Sequence, residues 1–233
     1  MEGDIVMASD QNPEAGEPSG GQRNVLPWSG IGFAVLYVVG LIAATSSPAN
    51  TDKYKNNPEG LILLWRHFYA DSGNRTTIFI GTMLLLLASL MMILFGSVLR
   101  ERLAAAGAAG AGRLAFAGSI LFAAVTIVGA VAVFWLPGAK QFGSAPIPRG
   151  ELAYLASQLG FGLLLLGGGT AAALVLVTAG WAATRTGALP TWLGWAGVII
   201  GVLLFFLAAM FVPMLLLVLW VLIASIAMLR NPA

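Results

Sequence analysis

"TTIFIGTMLLLLASLMMILFGSVL", residues 76–99, runs from just after Arg75 to just before Arg100 without a charged side chain. A helix that crosses the hydrocarbon of a bilayer needs about 20 apolar residues, and this stretch supplies them. Water-soluble domains carry roughly a quarter of their residues as charges. Here only 9% are charged and 58% are apolar, so there are too few charges to clothe a water-facing surface. The expected fold class is all-α, a polytopic transmembrane helix bundle of six spans with a short interfacial helix in the first outer loop.

Working outward, similar runs occupy Val25 to Ala44, Leu114 to Leu136 and Ala153 to Ala183, each bounded by charge, Pro or Gly. The run from Ala153 would reach about 46 Å as one helix, so it has to tilt or project. Gly167, Gly168 and Gly169 are the expected kink. From Leu189 to Leu229 there is no charge at all. A single helix there would measure about 62 Å, beyond any bilayer. The chain is expected to turn at Ala208 to Pro213, with Pro213 opening the last helix, where its missing N–H is harmless. The spans are then about 25–44, 76–99, 114–136, 153–183, 191–208 and 213–229 within a transmembrane domain of residues 25–230. The alternative is five spans and a re-entrant piece.

Residues 1–24 are rich in Gly, Pro, Asn, Glu and Asp and are expected to form a disordered cytoplasmic tail. Its five acids and single Arg are unlike the positive start of a secretory signal, so the first run is taken as a retained anchor. Lys and Arg divide six against six between the two sides. Arg100, Arg102 and Arg113 crowd one short loop, and this favours a multi-pass membrane protein with both termini cytoplasmic. Six tryptophans fall at span ends, Trp65 among them, whereas Trp220 lies in mid-span.

A net charge of +2 without a dense basic run argues against nucleic acid as a partner. The absence of cysteine removes disulfides, thiolate chemistry and thiolate-bound metal. "GAAGAGRL" (107–114) departs from a phosphate-binding loop, because Arg113 stands for Lys, Leu114 for Ser or Thr, and no strand precedes it. A flexible cytoplasmic link is the expectation there.

"LLWRHFYAD" (63–71) holds the only histidine. Leu61, Leu64, Trp65 and Phe68 share one helical face, Pro58 suits a first helical position and Asn57 a cap. His67 and Asp71 stand at i and i+4, where a carboxylate could orient an imidazole. Two readings stay open: the wet face of a helix lying on the membrane, or an outer-face site formed by His67, Asp71 and Glu151. No third ligand or nucleophile recurs nearby at a telling spacing, which favours the first.

The proposed spans contain no Asp, Glu, Lys, Arg or His. Proton-coupled carriers place such residues at depth, and an intramembrane metalloenzyme needs several ligands there. Neutral polar groups remain on the fourth span, namely Tyr154, Ser157, Gln158, Thr170 and Thr178. They either bond between helices or line a cavity, for which Tyr154, Gln158 and Thr170 are the candidates. Gly194, Gly197 and Gly201 form a small-residue stripe expected to pack within the monomer.

"RTGALPTWLGW" (185–195), with "FYADSGNR" (68–75) and "LRERL" (99–103), resembles an actinobacterial family of uncharacterised six-helix integral membrane proteins, defined by a domain of unknown function. The resemblance covers about residues 25–230. It implies an all-helical plasma-membrane protein and carries no activity, cofactor or catalytic residue. The functional expectation is a non-enzymatic structural or accessory membrane component, with no cofactor or bound metal. Its partners would be the lipid bilayer and a membrane protein. The first alternative is a permease or binder for a lipid or neutral small solute, and the second is an extracytoplasmic-face enzyme.

Overall fold

A computed structural model describes residues 28–49, 51–54, 56–143, 146, 149–207 and 211–230. The expected tail at 1–24 and residues 208–210 of the expected last turn lie outside them. The described residues form α1 (Trp28–Ala44), α2 (Pro58–Ala70), α3 (Ser72–Ala105), α4 (Ala109–Phe142), α5 (Gly150–Gly162), α6 (Gly168–Thr186), α7 (Thr191–Phe206) and α8 (Phe211–Arg230), with no strand among them. Among the described residues, four helices are long and apolar enough to cross a membrane: α3, α4, the continuous rod Gly150–Thr186, and Val212–Arg230. The helices Trp28–Ala44 and Thr191–Phe206 are apolar but shorter.

Local chemistry sets the helix ends. Asn57 Oδ1 accepts from Gly60 N at 3.0 Å and Pro58 occupies the first turn of α2. Asp71 is extended (φ −72°, ψ 127°), so it stops α2, and its Oδ1 accepts from Asn74 N at 2.9 Å to start α3. Gly187 ends α6 in the left-handed region at φ 71°, and its N–H donates to the Ala183 carbonyl at 3.0 Å. The expected flexible link at 107–114 is shorter than anticipated. Gly107, at φ 86°, makes the turn between Ala105 and Ala109, and Gly110 to Leu114 are already helical.

Two further differences concern helix interiors. The third run was expected to stop before Pro137, yet α4 continues through it to Phe142. A proline removes one backbone donor, and contacts beyond it hold the extra turn. Phe142 packs on Phe79 at 5.1 Å between ring centroids, and Gln141 Oε1 accepts from Arg75 Nε at 3.1 Å. In the long rod, the irregular turn falls at Leu163–Gly167, a π-turn, and ends where the glycine triplet begins. Gly168 and Gly169 are regular α-helix.

Helix contacts run α1 to α3, α3 to α4, α4 to α6, α6 to α7, α7 to α8, and α8 back to α1. The rod therefore changes neighbours along its length: α6 lies on α4 and α7, whereas α5 lies on α4 and α2. The centre of the bundle is aromatic. Phe33 and Tyr37 meet Phe122 at 5.7 and 5.6 Å, and Phe95 meets Trp220 edge-on at 6.5 Å. Trp220 is buried, and its Nε1 donates to the Leu193 carbonyl at 2.9 Å. Gly194 and Gly201 meet α6, and Gly197 meets Trp220, so the stripe packs inside the monomer. At the closest α6–α7 approach, a Cβ on Gly180 would lie 2.5 Å from the Gly194 carbonyl oxygen. The outward faces carry large apolar side chains such as Val35, Leu90, Val128, Ile199 and Leu219. A surface of that kind suits lipid rather than water.

Candidate functional site: a polar cleft beneath helix α2

Helix α2 does not lay its apolar face outward. Trp65 and Tyr69 are buried, and Trp65 packs against Phe68, Tyr69 and Tyr154 with ring centroids 5.7 to 6.0 Å apart. The Trp65 ring covers protein, because α2 is tied down at both ends. At one end, Gly150 of α5 fits against the Ile62 backbone. At the other, Arg75 Nη1 donates to the carbonyls of Tyr69 (2.8 Å) and Ala70 (2.7 Å), the unsatisfied acceptors of the last turn.

Between α2, the end of α1, α4 and α5 lies a partly open cleft of about 230 Å³. It is lined by Thr45, Ser47, Trp65, Val133, Ser157, Gln158 and Phe161. No lining residue carries a charge. Thr45 Oγ1 donates to the Leu41 carbonyl at 2.6 Å, so its proton is engaged and its oxygen remains an acceptor. Ser157 is hydrogen-bonded to the Tyr69 hydroxyl, whose pKa burial pushes up to about 12 against the opposing effect of that bond. The Gln158 amide has no hydrogen-bond partner among the described residues. Close by, Trp65 Nε1 and Ser46 Oγ are buried and have no hydrogen-bond partner among the described residues, and native interiors rarely leave such groups without a reason.

The sequence candidates separate clearly. Gln158 lines the cleft, and Tyr154 buttresses it through the Trp65 ring. Thr170 does not belong to it. It lies past the π-turn on an exposed face, and its hydroxyl donates to the Leu166 carbonyl at 2.8 Å, the usual fate of a mid-helix threonine. His67, Asp71 and Glu151 are all exposed. Asp71 is occupied as the cap of α3, and Glu151 sits in the first turn of α5. Among the described residues no group of three or more His, Asp or Glu could hold a metal ion.

Thr45, Ser47 and Trp65 were not anticipated as part of a site. The signal available was the hydroxyl run Thr45-Ser46-Ser47 at the end of an apolar helix, which local reading treats as the close of a span. The fold fits a helical membrane bundle. No protein family, curated protein or solved structure matches the chain.

Proposed function

We propose that this is a six-span, non-enzymatic protein of the plasma membrane that binds a lipid or neutral small solute in the cleft beside Gln158, as an accessory membrane component. Six spans follow when α1 and α7 cross together with the four longer helices. At about 1.5 Å per residue, α1 and α7 supply about 24–26 Å each, close to a hydrocarbon thickness of about 30 Å. An even number leaves both termini on one side. The crowding of Arg100, Arg102 and Arg113 supports a cytoplasmic location for that side. The cleft, at the end of α1 and the start of α5, then faces the opposite leaflet.

The observation that carries the binding function is the unpartnered Gln158 amide in an uncharged cleft. Gln158 is exposed at the mouth of the cleft, so its amide donors and acceptor are open to a ligand. The commitment of Asp71 to a helix cap supports binding over catalysis. The test is native mass spectrometry of the protein after gentle extraction. Wild type retains a lipid or small-solute adduct, and Gln158→Leu loses it with unchanged helical content. Equal retention by both proteins would refute the assignment.

A further inference from the structure

The class of ligand follows from depth, size and chemistry, and the inference rests on the binding function proposed above. The rod from Gly150 to Thr186 has 37 residues. Gln158 stands about ten residues from its centre, or about 15 Å along the axis, which is half of a hydrocarbon layer about 30 Å thick. Centred in a bilayer, the rod thus holds the Gln158 amide where acyl chains give way to the glycerol esters of the lipids.

Size points the same way. Pockets for whole drug-sized ligands span about 300–1,000 Å³, and this cleft measures about 230 Å³. It has room for the polar waist of a lipid whose chains stay outside. Leu155, one turn before Gln158, and Leu159, next to it, are 60% and 62% exposed and offer those chains an apolar flank.

Chemistry narrows it further. The Gln158 amide offers two N–H donors and one acceptor. Thr45 offers only an acceptor, and Ser47 a hydroxyl. No lining side chain carries a charge to pair ionically with a headgroup. We infer that the cleft holds the glycerol-ester region of a diacyl membrane lipid, with the Gln158 amide donating to an ester carbonyl and the headgroup charge left unread.

The full-length protein is to be reconstituted in nanodiscs with three lipids of matched chain length: diester phosphatidylcholine, diester phosphatidylglycerol and diether phosphatidylcholine. Retained lipid is counted by native mass spectrometry. Both diesters are expected to be held equally, and the diether about fivefold less, the value of one hydrogen bond. In Gln158→Leu the ester preference disappears. A lipid bearing a photoreactive diazirine near the glycerol is expected to crosslink wild type within residues 155–161, an observation that needs no variant.

Equal retention of the diether, or a strong headgroup preference, overturns the ester inference. If no lipid is held but glycerol binds in a Gln158-dependent way, the lipid assignment falls and the binding function stands. If Gln158→Leu matches wild type in every arm, both fall.

Discussion

Arg75 Nη1 donates to the Tyr69 carbonyl at 2.8 Å, so the first turn of α3 closes the last turn of α2. The same guanidinium reaches Ala70 O and, through Nε, Gln141 Oε1 on α4. One side chain thereby joins three helices and keeps the Trp65 and Tyr69 rings over the cleft. Hydrogen bonds that involve a charged donor are worth about 1.5–3 kcal/mol. Arg75→Met is therefore expected to loosen α2 without unfolding the bundle. Hydrogen exchange should accelerate across residues 58–70 and stay unchanged in α6 and α7. Uniform exchange behaviour in the variant would show that α2 is held by other contacts.

Tyr69 makes stability depend on alkaline pH. Burial raises its folded pKa to about 12 from an ordinary value of 10.0. The folded state therefore holds the phenolic proton more tightly than the unfolded state does. The associated stability is complete below about pH 10 and is lost as pH rises towards about 12, a loss on the order of 2 kcal/mol. Thermal unfolding of wild type should weaken across that window more steeply than that of Tyr69→Phe. Parallel curves would mean that the hydroxyl titrates as a free one.

The Asp71 carboxylate caps α3, whereas His67 is exposed. Removing an N-cap costs about 1 kcal/mol. Asp71→Ala is thus expected to lower the melting temperature, and Asp71→Asn to restore most of it, because an asparagine oxygen can still accept from Asn74 N. His67→Ala should leave both stability and lipid retention as they are. A common functional defect in His67→Ala and Asp71→Asn would instead identify the two as a working pair.

Close helix packing can be tested against a built-in control. A side chain at Gly180 meets the Gly194 carbonyl and Val198 N, whereas one at Gly110 meets nothing within 4 Å. Overpacking typically costs about 1–3 kcal/mol, and backbone on both sides leaves little room to yield. Gly180→Leu should lower thermal stability in detergent sharply, and Gly110→Leu should not. Similar behaviour of the two variants would show that α6 and α7 do not approach so closely.

Because the chain has no cysteine, single cysteines report sidedness without background. Glu59→Cys in α2 and Gly110→Cys at the start of α4 both fall at exposed positions. With cytoplasmic termini, an impermeant maleimide should label the first in intact cells and the second only after permeabilisation. The reverse pattern would invert the topology.

Sequence by itself determined the elements of this protein. Apolar runs marked the helices, and Asn57 and Pro58 marked the start of α2, because capping and backbone preference act within a few residues. Even the wrong boundaries were wrong locally: α4 passes Pro137 because distant Phe79 and Arg75 hold the turn beyond it. Neighbours were a different matter. In a helix bounded by lipid on one side and by other apolar helices on the other, both faces are oily, and hydrophobic pattern does not say which face meets what. Tertiary structure alone brought Thr45 and Ser47 from α1's end, Trp65 from α2 and Gln158 from α5 to one cleft, across more than half of the described chain. That outcome depends on helix packing between distant segments, which no local spacing records.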